Sequence, residues 1–231
     1  MTNLFESELK DVTRLILIRH GRTSNNKEDR VGTLEDIPLD HRGVEQAQKV
    51  AERLKEFPIG VIYSSPILRS KQTADIIADT FHMDVEIDKN LMEYNFGIIS
   101  KHTMSEIRDK YPELYQDLDQ WMNMGPTHER KRPIIPNSEP FKDFDKRLFE
   151  FKEKILDNHP GQVVAAITHL AVIKGYMATL FGGSVFRQMN YLAFNTSLTV
   201  IDFYNRVPIL LLFNDTRHLD LPLKYGKVTP L

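Results

Sequence analysis

In three places the sequence sets an arginine or a histidine at or just past the end of an apolar run. Leu15-Ile16-Leu17-Ile18 stops at Arg19-His20; Val61-Ile62-Tyr63 runs into Ser64-Ser65, with Arg69 shortly after; Val163 to Thr168 delivers His169. If these runs are strands of one parallel sheet, their carboxyl ends share an edge and the side chains that follow converge. Two arginines and two histidines gathered there make a pocket for a dianion, because a guanidinium fork matches phosphate oxygens. Helices that start after the strands add backbone N–H donors and the positive ends of their dipoles.

The elements needed to hold these residues can be read from the same pattern. Short unbroken apolar runs suit strands buried on both faces. Val44, Ala47, Ala51 and Leu54 fall at helical intervals over 43–57, with Asp40 as N-cap. A second helix is predicted from Ile67 to Phe81, with Ser64-Ser65 supplying a cap and Pro66 the first turn. Val85 to Ile87 makes a third strand. Phe141, Phe144, Leu148, Phe151 and Ile155 form an apolar helix stripe, and a helix to Leu180 follows His169. Leu198–Tyr204 and Pro208–Phe213 read as a hairpin around Asn205-Arg206, and the apolar run Val207–Phe213 reads as a buried strand. Strands alternating with helices predict a three-layer α/β/α sandwich with a mainly parallel central sheet. Between about 90 and 140 the pattern breaks into short helical pieces (103–110 and 113–122) and a proline-rich loop, as expected of an insertion or lid.

Composition narrows the function classes. The chain has 231 residues, 41% hydrophobic and 27% charged, as expected of a globular protein. No repeat or Gly/Ser linker divides it, so residues 1–231 are read as one domain. Lys and Arg number 30 against 32 Asp and Glu, which argues against charge-driven nucleic-acid binding. Without cysteine there are no disulfides, Cys-ligated metals or Cys nucleophiles. The start has no signal-peptide pattern, and no apolar run approaches the ~20 residues that span a bilayer. The expected compartment is the cytoplasm, with no membrane or nucleic-acid partner.

Five ordered segments carry a family resemblance. Leu-Ile-Arg-His-Gly-Arg-Thr-Ser-Asn-Asn (17–26) resembles the signature of the histidine phosphatases, the phosphoglycerate mutase-like superfamily in its RHG-motif branch. Tyr63-Ser64-Ser65-Pro66-Ile67-Leu68-Arg69 is similar to its segment carrying the second phosphate-binding arginine, Leu91-Met92-Glu93-Tyr94-Asn95-Phe96-Gly97 to its acid segment, and Ile167-Thr168-His169 to its second histidine. Residues 38–47 match the stretch before the family's first helix.

The resemblance implies a phosphoglycerate mutase-like fold and a role for each matched residue. His20 is the nucleophile that becomes phosphohistidine; a neutral imidazole is nucleophilic near neutral pH, and nearby guanidinium charge opposes its protonation. Arg19, Arg69 and His169 hold the phosphoryl oxygens, Asn26 adds a neutral donor and Thr23 positions the loop. Glu93 protonates the leaving oxygen. No metal and no cofactor are implied. The substrate is a phosphorylated small molecule. The oligomeric state is open, a homodimer being one option.

Some positions depart from the family pattern. Arg22 stands where an acid is common, Leu170-Ala171 replace small glycines, and Ile98-Ile99-Ser100-Lys101 and Asn137-Ser138-Glu139-Pro140 have drifted. The phosphate pocket is therefore expected intact and the substrate-facing shell altered. The reaction read from this is hydrolysis of a phosphomonoester. The alternatives are mutase-type phosphoryl transfer, a phosphoprotein phosphatase and a non-catalytic phosphate-binding module, which would have lost its core residues. The basic run Arg130-Lys131-Arg132 is either a second anion contact or a solvated loop, and the remaining histidines show no metal-ligand spacing.

Overall fold

A computed structural model of the chain describes residues 12–123, 133–181 and 191–219. Six strands, β1 (Val12–Arg19), β2 (Ile59–Ser64), β3 (Val85–Ile87), β4 (Val163–Thr168), β5 (Leu198–Tyr204) and β6 (Val207–Asp215), form one sheet. Their order is β3-β2-β4-β1-β5-β6, parallel from β3 to β1 and antiparallel through β5 and β6. The helices are α1 (Ser24–Lys27), α2 (His41–Leu54), α3 (Leu68–Phe81), α4 (Met104–Lys110), α5 (Pro112–Asn123), α6 (Phe141–Asn158) and α7 (Leu170–Phe181).

Strand alternation builds the layers. Leu15 and Leu17 of β1 point to one face, where α6 and α7 bring Phe144, Leu148, Phe151, Val172 and Tyr176. Ile16 and Ile18 point to the other, where α2 and α3 bring Val50, Leu54, Ala74 and Ile77. This is the expected three-layer sandwich. Its layers pack closely: a Cβ on Gly175 of α7 would stand 2.5 Å from Leu148 Cδ1, so a larger residue there would force the Leu148 and Phe144 side chains of α6 to shift. Arg14 and Asp202 join β1 to β5 through a bidentate ion pair at 2.6 and 2.8 Å.

Two local expectations need correction. The run 207–213 is not a buried strand. β6 is the sheet edge, with Val207 60% and Ile209 47% exposed, and Pro208, which has no N–H to donate, is tolerated there. Nor does Pro66 occupy a helical turn or Ser64-Ser65 supply a side-chain cap. α3 starts at Leu68 behind an uncapped Ile67. Asp40, by contrast, caps α2 through Gly43 N–H at 2.8 Å, and Asn205 and Arg206 both take positive φ in the β5–β6 turn, as a tight hairpin demands.

Ile99, Ile107, Leu118 and Ile135, from the described part of 90–140, form a separate small core with Val31. Among the described residues no helix is long and apolar enough to cross a membrane.

Candidate active site

Strand register dictates which residues meet. Arg19 pairs with Thr168 across β1 and β4, and Ser64 with Ile167 across β2 and β4. The backbone bonds continue one residue past each end, from His20 N–H to Thr168 O and from Ser65 N–H to Ile167 O. His20, Ser65 and His169 therefore emerge side by side. The chain then turns at Gly21, whose N–H donates to Thr73 Oγ1 of α3 at 3.0 Å. A Cβ on Gly21 would lie 2.5 Å from Gly43 O of α2, so only glycine allows this loop to close on that helix. Thr23 and Asn26 form a capping box at the start of α1.

His20 is 3% exposed. Its Nδ1 is 2.7 Å from Gly21 O. A carbonyl can only accept, so Nδ1 carries the proton and Nε2 keeps its lone pair. Arg69 Nε donates to that Nε2 at 3.2 Å. The Arg69 guanidinium is itself fixed by the carbonyls of Thr33 (2.7 Å) and Glu35 (3.1 Å). Arg19 gives Nη1–H to Ala193 O at 2.7 Å, while its buried Nε has no hydrogen-bond partner among the described residues. Burial, then the charges of Arg69 and Arg19, holds His20 well below the ordinary imidazole pKa of 6.5, so it is neutral. Burial likewise lowers Arg19 to about 10.

Glu93 is 5% exposed and lies on the same cavity. Its Oε1 accepts the N–H groups of Tyr94 (2.9 Å) and Ala171 (3.2 Å). Burial raises its pKa above 4.5 against the opposing pull of Arg69, which favours the protonated acid. The N–H beyond His169, at Ala171, is thus taken up by Glu93. His169 packs its ring 5.1 Å from that of His20. It is fully buried and is not among the residues lining the cavity. Its Nε2 lies 2.8 Å from Ser65 Oγ.

The structure brings Arg19, His20, Thr23, Asn26, Arg69 and Glu93 onto the wall of one cavity of about 240 Å³. The amide oxygen of Asn26 is spent on Thr23 and Asn195, so its amide nitrogen is what it can offer a ligand. Arg22, at the position where an acid is common, pairs with the α2 cap at Asp40 (2.8 Å) and is not among the residues lining the cavity. Glu139, in the drifted 137–140 stretch, is held by Arg147, which also donates to the carbonyls of Asn90, Met92 and Glu93. The run Arg130-Lys131-Arg132 lies outside the described residues. Among the described residues no cluster of His, Asp and Glu could hold a metal.

Sequence reasoning missed three residues. Asn195 donates to His20 O at 2.9 Å and ties the loop to the start of β5. Arg147 fixes the backbone that carries Glu93. Lys174 lines the cavity, and as the one charge in the apolar helix LAVIKGYMATLF it did have a sequence signal.

Buried positive charge around a neutral imidazole of fixed tautomer, all at the carboxyl ends of parallel strands, defines an α/β protein built to take a phosphoryl group. Residues 15–216 match the model of the histidine phosphatase superfamily (branch 1), and the chain belongs to that family. Phosphoserine phosphatase 1 of Hydrogenobacter thermophilus is 28% identical over 208 residues, covering 90% of this chain and 95% of the relative. The protein of Yersinia pestis named Probable phosphoglycerate mutase GpmB is 29% identical over 215 residues, covering 90% and 96%. The phosphoserine phosphatase of Entamoeba histolytica, solved as a mutant in complex with phosphoserine, superposes with a TM-score of 0.76 at 26% identity, over 90% of this chain and 99% of that one.

Proposed function

We propose that this chain is a metal-independent phosphatase that hydrolyses a phosphomonoester of a small molecule through phosphohistidine at His20. The observation that carries the reading is the fixing of one imidazole from both sides. Gly21 O holds the Nδ1 proton, and Arg69 Nε meets the Nε2 lone pair. A substrate phosphate drawn in by Arg69 and Arg19 arrives beside the nitrogen that must attack it.

In the first step Nε2 forms a bond to phosphorus as the bond to the leaving oxygen breaks, and Glu93 gives that oxygen its proton. The guanidiniums of Arg19 and Arg69 and the amide of Asn26 take up charge on the phosphoryl oxygens. They are assigned the electrostatic work that a metal ion does in other phosphoryl-transfer sites. His169 is assigned a share in holding the phosphoryl group once Nε2 carries it, its ring standing 5.1 Å from that of His20. Thr23 acts through the capping box that positions Asn26. In the second step Glu93, now a carboxylate, accepts a proton from water. The water oxygen bonds to phosphorus, the P–N bond breaks, and phosphate leaves with His20 restored.

The same reading makes residues 1–231 one domain and gives the segment at about 90–140 the job of covering the substrate. Leu118, Trp121 and Ile135 from that segment line the cavity. It also places the enzyme in the cytoplasm, with a phosphorylated metabolite as its partner.

The test is turnover of an aryl phosphate by wild-type protein and His20→Ala, with acid-free quenching of labelled substrate. Wild type should release phosphate and carry label on His20, and the variant should do neither. Label on a carboxylate, or activity in the variant, defeats the reading. Adding a bisphosphate primer separates the mutase alternative, because isomerisation that depends on primer means transfer to a second hydroxyl and not to water.

A further inference from the structure

We infer that Arg147 is a positioning residue for the acid step: its guanidinium shapes the backbone at Glu93 so that the carboxyl group meets the leaving oxygen. This rests on the phosphatase reading, in which Glu93 is the acid.

Glu93 belongs to neither a helix nor a strand. It lies between two short 3₁₀ turns, Lys89–Leu91 and Gly97–Ile99. Carbonyls in such irregular backbone need donors from elsewhere, and here one side chain answers three of them. Arg147 of α6 gives Nη1–H to Asn90 O and Met92 O, both at 2.7 Å, and Nη2–H to Glu93 O at 3.2 Å. Glu139 holds the other edge of the guanidinium, through Nε at 2.7 Å and Nη2 at 3.0 Å. All five N–H donors of the planar fork are thereby engaged. Glu139 is bonded to the same segment: its N–H donates to Asn95 O at 2.9 Å and its carbonyl accepts the Tyr94 hydroxyl. Residues 90–95 are thus gripped by one ion pair.

Arg147 is not among the residues lining the cavity, so it works through Glu93 and not on the substrate. On the cavity side, Glu93 Oε1 accepts the N–H groups of Tyr94 and Ala171. An oxygen that accepts two such bonds is not the one that carries the acid proton, which therefore sits on Oε2. Where Oε2 points depends on the backbone that the three carbonyl bonds hold. A general acid must stand within hydrogen-bond reach of the oxygen it protonates, and a misplacement of about 1 Å can cost about a hundredfold in rate. Lysine keeps the charge of Arg147 but cannot bond three carbonyls and a carboxylate in one plane.

The experiment measures kcat/KM for glycerol phosphate, whose leaving oxygen needs a proton, and for 4-nitrophenyl phosphate, whose leaving group does not. Arg147→Gln should lower the first value at least about tenfold more than the second, as loss of an acid does. Arg147→Lys should show the same bias to a smaller degree. In a Glu93→Gln background, Arg147→Gln should cost no more than about twofold on glycerol phosphate, because the group it positions is already gone. Equal losses on the two esters, or an undiminished further loss in the Glu93→Gln background, overturn the inference and leave Arg147 as a tie for the fold alone. If Arg147→Gln does not fold, Glu139→Gln, which loosens the guanidinium without removing it, carries the same comparison. If wild type turns over neither ester, the phosphatase reading fails by itself. The Glu93 carboxyl carbon is then titrated by NMR, where a midpoint lower in the Arg147 variant than in wild type supports the positioning role and an unchanged midpoint overturns it.

Discussion

Arg69 Nε stands 3.2 Å from His20 Nε2, and the rest of the Arg69 guanidinium is held by the carbonyls of Thr33 and Glu35. The planar group is thus oriented before any substrate arrives, which is the condition for efficient stabilisation of transition-state charge. Lysine keeps the charge but cannot bond two carbonyls and His20 in one plane. Arg69→Lys should therefore lower kcat by about 10²–10³ with an aryl phosphate, the scale set by loss of one preorganised donor. Steady-state kinetics on folded variant checks this. A loss below tenfold would mean that positive charge alone, not the fork, is what the site needs.

The directions of two pKa shifts define a pH profile. His20 must be unprotonated to attack, and burial holds it well below 6.5. Glu93 must be protonated to donate, and burial holds it above 4.5. For an alkyl phosphate, whose leaving oxygen needs a proton, kcat/KM should fall on the acid side as His20 protonates and on the alkaline side as Glu93 ionises. Glu93→Gln should abolish the alkaline limb and slow alkyl substrates by about 10²–10⁴, with a much smaller effect on aryl phosphates. An alkaline limb that survives in the variant would assign it to another group.

The two buried histidines also link stability to pH. His20 and His169 both have lowered pKa values in the folded chain, each mainly through burial. Below about 6.5 the unfolded chain takes up protons that the folded one refuses. Their stabilising share is whole above 6.5 and is lost as pH falls. Thermal melts between pH 7 and 5 should show a declining Tm, and His169→Gln should flatten that decline. A variant with the wild-type slope would rule His169 out as a source.

Asp40 carries two loads at once. One carboxylate oxygen caps α2 at Gly43, and the other pairs with Arg22. Asp40→Ala should cost about 1–2 kcal/mol, mostly the lost cap with a smaller share from a pair that is about a quarter exposed on each side. Asn caps as well as Asp, so Asp40→Asn should lose only the pair, and denaturant titration of both variants separates the two loads.

What could be read from sequence divides by range. The strand ends at Arg19-His20 and His169, the Asp40 cap and the 205–206 turn rest on neighbours within a few residues, and local pattern discloses them. Ser65 shows the boundary. Sequence offers it as a cap for the helix that follows; its hydroxyl accepts from Ile67 N–H just ahead of that helix and also meets His169, 104 positions away, a contact no local pattern announces. β6 has the apolar composition of a core strand, yet no residue in it reveals that the sheet ends there. Asn195 and Arg147 act on backbone carbonyls far along the chain, and a carbonyl leaves no mark in a sequence. Lys174 was legible as an anomaly in an apolar helix. Only the structure shows that it lines the cavity.

Lys174 links stability to pH. Burial lowers its pKa from 10.5 to about 8. The folded chain therefore holds the proton less tightly than the unfolded one, and the fold is penalised wherever the amine is charged. The penalty is absent above about 10.5, grows as pH falls to about 8 and is constant below. At 1.36 kcal/mol per unit it amounts to roughly 3 kcal/mol at pH 7. Lys174→Met fills much the same volume without the charge, so it should raise stability by an amount of that order at pH 7 and by far less near pH 10. Chemical denaturation at the two pH values reads the difference directly. Equal stability of variant and wild type at both pH values would show that the buried amine carries no net penalty.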